Sequence, residues 1–185
     1  MKFILKISAT VLCLIALVAF ATPEKKINKL AAKVWKDKVV ELEAMEVPGE
    51  LRADLMTLSV VKSKGKIIGY ACYTTAFGCR IGGCAAPTTP NAEAYETFDY
   101  IVVYDTDLNI KKVDIANYGG QYGYEICRPK WLEQFIGKSH GFKLEDNIDG
   151  ISGATVSADF LIKDLNSLGA KLKETDLSEL SASTN

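Results

Sequence analysis

Residues 55–75 read LMTLSVVKSKGKIIGYACYTT, and this stretch decides the fold. Two runs rich in β-branched and aromatic residues, 55–61 and 66–75, flank the turn signal Ser63-Lys64-Gly65. That pattern predicts a β-hairpin. A second pair follows: 97–104 is aromatic and β-branched, and 110–116 alternates apolar with polar residues. Asp105-Thr106-Asp107 is the turn between them. Four antiparallel strands are therefore expected before residue 118.

The segments around the hairpins read as helices and loops. Over residues 24–45, Ile27, Leu30, Ala31, Val34, Trp35, Val39 and Leu42 recur at three- and four-residue steps, predicting an amphipathic helix. Pro48-Gly49 ends it. Residues 76–96 hold glycines, two prolines and two cysteines, and read as a long loop. Long loops in compact domains are often functional. Residues 128–135 predict a short helix with Pro129 near its start, and 137–147 a polar connector. Residues 155–173 predict a second long helix, with Val156, Phe160, Leu161, Leu165 and Leu168 on its buried face. The order predicts one α+β domain, an antiparallel β-sheet of hairpins packed with helices.

Composition bounds the function classes. The chain has 185 residues, 48% hydrophobic and 24% charged, which is ordinary globular usage. Twenty-two basic and twenty-three acidic side chains leave a formal charge of −1, no electrostatic footprint for nucleic acid. The N-terminus reads separately. Lys2 and Lys6 precede an apolar run over 7–20, and Ala19-Phe20-Ala21 has the small-x-small cleavage pattern. Residues 1–21 are expected to be a signal peptide, which places the rest on the exported side of a bacterial membrane, periplasmic or at the cell surface. The expected division is then an N-terminal helix and linker at 22–50, the functional domain at 51–174 and a polar tail at 175–185.

Asp149-Gly150-Ile151-Ser152-Gly153-Ala154-Thr155 carries the chemistry. It is a glycine-containing turn running straight into the long predicted helix. Ser152 would serve as its N-cap. A helix N-terminus offers unpaired N–H groups and a positive dipole end, which suit a phosphate. Gly153 and Ala154 would let a bulky ligand approach the backbone, with the Thr155 hydroxyl in reach of that phosphate. A fixed four-residue string arises by chance in a chain of this length roughly one time in a thousand.

The stretch from Asp149 to Thr155 resembles the flavinylation motif of the FMN-binding domain family. That family includes the covalently flavinylated subunits of the sodium-pumping NADH:quinone reductase and of the Rnf complex. Its motif is an Asp, two residues, then Ser/Thr-Gly-Ala-Thr/Ser, with FMN joined through its phosphate to the last hydroxyl. The resemblance extends to Gly69-Tyr70 and to Tyr122-Gly123-Tyr124-Glu125 followed by Trp131, Gln134, Phe135, Gly137 and Lys138, about residues 55–168 in all. The respiratory-complex members carry a Glu-Thr-Pro-Gly-type turn where this chain has Tyr118-Gly119-Gly120-Gln121-Tyr122, so the likeness carries the attachment residue rather than the ring contacts. The Cys79–Cys84 loop is not part of the family pattern.

The resemblance implies an exported flavoprotein electron carrier with FMN on Thr155. Ser152, Gly153, Ala154, Asp149, Tyr124 and Glu125 would surround it, and Tyr122 and Trp131 are further candidates to flank the ring. It implies a flavin transferase that uses FAD and Mg²⁺, a membrane electron donor and an acceptor the sequence does not name. Asp149 would order the turn or assist the transfer. A threonine hydroxyl is a poor nucleophile without a base, and the sole histidine, His140, lies 15 residues upstream. The alternative is a module that binds a small phosphorylated ligand noncovalently on the same fold. The spacing of Cys72, Cys79, Cys84 and Cys127 shows no haem or zinc pattern and favours a disulfide between two of them, with the pairing open. A thiol pair exchanging electrons with the flavin is the functional version of that pairing.

Overall fold

The computed structural model describes residues 22–52, 57–83, 95–175 and residue 177. Five strands follow in chain order: β1 (Glu41–Met45), β2 (Thr57–Ser63), β3 (Lys66–Arg80), β4 (Tyr95–Tyr104) and β5 (Ile110–Tyr118). They make one antiparallel meander in the order β1-β2-β3-β4-β5. The helices are α1 (Pro23–Val34), α2 (Pro129–Leu132) and α3 (Thr155–Glu174). The architecture is a single α+β domain, as the hairpin signals predict.

Both hairpins close where their turn residues dictate. Lys64 and Gly65 have φ of 50° and 72°. Positive φ at both central residues is what a type I′ turn requires. In the β4–β5 turn, the Asp105 carboxylate accepts hydrogen bonds from the backbone N–H groups of Asp107 and Asn109 at 3.1 and 2.9 Å.

Period-two alternation sorts the sheet into two faces. Tyr70, Cys72 and Ala76 of β3 and Phe98, Tyr100, Val102 and Tyr104 of β4 share one core with α3. Ala71, Tyr73, Ile101 and Val103 point the other way, against Ile27, Leu30 and Ala31 of α1. A helix covers each face, giving three layers. On α3 the buried positions are Ser157, Ala158, Leu161, Ile162, Leu165, Leu168, Gly169 and Leu172. The expected Leu161, Leu165 and Leu168 are among them, whereas Val156 and Phe160 are half-buried at the stripe's edge.

Two expectations need correction. The helix expected over 24–45 ends at Val34, and residues 41–45 form β1, paired from Glu41↔Lys62 to Met45↔Leu58. Glu-Leu-Glu-Ala-Met alternates, so it suits an edge strand, and a Glu43–Lys62 ion pair crosses the pairing. The loop expected over 76–96 starts later. β3 continues to Arg80, with Ala76↔Phe98 and Phe77↔Thr97 in register. The remainder, with Cys84, lies mostly outside the described residues. Cys72, Cys79 and Cys127 are free thiols, with no disulfide among the described residues; Cys84, the fourth cysteine of the expected pairing, lies outside them. The three lie apart: Cys72 in the core under α3, Cys79 against Ser157, and Cys127 exposed.

Candidate functional site

The turn at 149–155 is held from below by the short helical segment before it. The buried Trp131 indole donates Nε1–H to the Asp149 carbonyl at 2.8 Å. The Asp149 N–H donates to Gln134 Oε1 at 2.8 Å. The Trp131 ring stands edge-on to Phe135, 5.2 Å between centroids. Trp131 is thus a buttress of the turn, packed into the core.

Gly153 takes φ +85°, a left-handed conformation that favours glycine. A β-carbon there would lie 3.1 Å from Glu125 Cδ and Oε1. Glu125 therefore sits against the one left-handed glycine of the turn, where a side chain would have stood. Its Oε2 is buried and has no hydrogen-bond partner among the described residues. Such a group costs about 1–3 kcal/mol when left unsatisfied.

Ala154, not Ser152, is the N-cap of α3, and no side chain among the described residues caps this end. The Ser152 N-cap expectation is corrected: the turn carries the chain two residues further before helical geometry starts, and Ser152 is exposed. Thr155 is the first helical residue and is exposed, while Ala154 is fully buried. The first-turn N–H groups of a twenty-residue helix thus lack a side-chain cap beside an accessible hydroxyl.

The turn at 119–125 crosses the same helix end. Gly123 has φ +85°, and a β-carbon there would meet Ser157 Oγ at 2.3 Å and Cys79 Sγ at 2.8 Å. The Tyr118 hydroxyl donates to the Tyr122 carbonyl and lies 3.0 Å from Ser157 Oγ. Ser157 in turn reaches Cys79 Sγ at 3.4 Å. Burial is the main cause that pushes the Tyr118 hydroxyl up to about 12. On the other side, Glu96 Oε1 accepts from the Gln121 N–H at 3.1 Å. Tyr122 and Tyr124 are 44% and 60% exposed, so both rings are free to meet a ligand. Phe77, Tyr95 and Phe160 form an aromatic cluster with centroids 5.2–6.1 Å apart.

The structure thus brings Glu125 to Gly153 and packs the 119–125 turn on the first turn of α3. Asp149 contributes through its backbone; its carboxylate is exposed and has no hydrogen-bond partner among the described residues. His140 is elsewhere. It bonds Ser139 and lies beside Gly169, fourteen residues along α3 from Thr155, about 20 Å of helix rise. Sequence reasoning missed Ser157 and Glu96; it quoted Tyr118 and Gln134 only in the family comparison and weighed Cys79 only as half of a thiol pair. Ser157 had a signal, since it falls on the apolar stripe of α3 four residues before Leu161.

No group of three His, Cys, Asp or Glu side chains that could hold a metal occurs among the described residues. No described helix is long and apolar enough to cross a membrane. No family model matches the chain, and no curated protein matches it.

Proposed function

We propose that this protein is an exported electron carrier holding FMN as a phosphoester on Thr155. The observation that carries this is the exposed Thr155 hydroxyl at the first position of α3, at a helix end with no side-chain cap. FMN fits the donor set. The uncapped N–H groups suit phosphoryl oxygens. The buried, unpartnered Glu125 Oε2 requires a hydrogen-bond donor, which the hydroxyls of a ribityl chain supply and a phosphate does not.

Bound in this way, FMN supplies reversible electron transfer. The protein's residues do the holding. Thr155 fixes the phosphate end, Gly153 leaves backbone room, and Glu125 anchors the polar chain. The exposed Tyr122 and Tyr124 are placed to cover a ring. With His140 at the far part of α3, no imidazole is placed to activate Thr155, which supports attachment by a separate transferase. Thr155 Oγ1 would be the atom that holds the phosphate, the FMN half of FAD being transferred to it with AMP as the leaving group. The electron donor is a membrane component and the acceptor an extracytoplasmic one.

The test is flavin fluorescence on a denaturing gel, after co-expression with a flavin transferase. Wild type and Thr155→Ser should fluoresce and Thr155→Ala should not. A chain that never fluoresces yet keeps a phosphorylated ligand after desalting would move the site to noncovalent binding.

A further inference from the structure

The charge of this protein is unevenly spread. Residues 22–40 hold six lysines, at 25, 26, 29, 33, 36 and 38, against only Glu24 and Asp37, a net +4. Residues 41–185 hold fourteen basic and twenty-one acidic side chains, a net −7. Such asymmetry points to a polyanionic partner rather than to fold stability.

The structure places these charges on one side. α1 buries Ile27, Leu30 and Ala31 against the sheet. Lys25, Lys29 and Lys33, spaced four apart, form a row on the opposite, exposed face. None of the three, nor Lys36 or Lys38, belongs to an ion pair among the described residues. Lys26 donates to the Ala116 carbonyl at 3.2 Å. Beside the row, a cleft of about 190 Å³ separates α1 from β5, with Lys26, Lys29 and Lys33 on one wall and the carboxylate of Asp114 on the other. α1 thus buries one stripe and bares a lysine row that no ion pair within 4.0 Å neutralises among the described residues, with Asp114 facing it across the cleft.

We infer that the lysine face of α1 docks the domain on an anionic phospholipid surface. Charge complementarity favours a lipid surface over a discrete small anion, because the lysines form a row along the helix rather than converging on one point. This inference does not depend on the flavin.

The test uses the chain from Thr22 onward, which contains every described strand and helix, with folding checked by circular dichroism. It is sedimented with vesicles of phosphatidylcholine alone or mixed with phosphatidylglycerol. Binding is expected only to the mixed vesicles, and to fall steeply as ionic strength rises from about 0.05 M to about 0.3 M. Each surface lysine contributes roughly a fivefold factor, so Lys25→Gln, Lys29→Gln and Lys33→Gln combined should weaken it on the order of a hundredfold. Lys171→Gln and Lys173→Gln, at the other long helix, should leave it unchanged. Equal binding to neutral vesicles, no binding to anionic ones, or full displacement by millimolar inorganic phosphate would each overturn the inference. So would tighter binding to duplex DNA than to anionic vesicles at the same salt.

Discussion

The Tyr118 hydroxyl, 3.0 Å from Ser157 Oγ, ties the end of β5 to the first turn of α3. The Tyr118 ring is also stacked on Phe98, 5.5 Å between centroids with a 21° interplanar angle. Tyr118→Phe keeps that stack and removes only the hydroxyl. It should cost about 1–2 kcal/mol in urea unfolding, and a double-mutant cycle with Ser157→Ala should show coupling of about 1 kcal/mol. Additive single effects would show that the two hydroxyls do not act together.

Gly169 lies inside α3, where alanine is normally preferred by about 1 kcal/mol. Here a β-carbon would fall 1.9 Å from the Ser139 carbonyl oxygen. Backbone cannot yield as a flexible side chain can, so Gly169→Ala should lower stability by about 1–3 kcal/mol despite the propensity gain. The thermal midpoint of the variant checks the sign.

Alkali should unfold the protein early. Burial pushes the Cys72 thiol well above its ordinary 9.0 and the Tyr100 and Tyr104 hydroxyls well above 10.0; Asp164 beside Tyr100 adds to its shift. These groups hold their protons more tightly folded than unfolded. Their stabilisation is fully present below pH 9 and declines as pH rises past 9 and then 10, by up to about 1.4 kcal/mol per pH unit for each group. Urea midpoints should be level below pH 9 and fall above it, and Cys72→Ala should reduce the slope between pH 9 and 10.

Gly153→Ala should disturb the site more than the fold. Its φ of +85° and the Glu125 carboxylate 3.1 Å from the new methyl both oppose the change. The variant should lose about 1–2 kcal/mol of stability and most of its flavin labelling. Gly137→Ala, at φ +92° with open space around it, should carry the strain alone and keep the labelling.

The hairpins were legible because strand alternation and turn chemistry are local: Lys64-Gly65 and Asp105 do their work within a few residues. The start of α3 at Thr155 was legible for the same reason. What the sequence concealed was set by partners distant along the chain. Leu42 satisfies both a helical stripe and a strand, and only the edge of β2 chooses between them. Residues 76–80 look like a loop until β4 pairs with them. Cysteine spacing favoured a disulfide, whereas the fold sets the described thiols, Cys72, Cys79 and Cys127, on separate structures. In the site, Thr155, Gly153 and Glu125 came from the motif and the turn, whereas Tyr118, Gln134 and Glu96 act through backbone groups that no residue pattern announces.

The most direct measurement of the central claim is the intact mass of the chain after export and co-expression with a flavin transferase. The account predicts an increment of about 438 Da, one FMN less one water. It should be kept in Thr155→Ser and absent from Thr155→Ala. An unmodified wild-type mass, from cells in which the same transferase labels a proven substrate, would contradict the covalent attachment on Thr155.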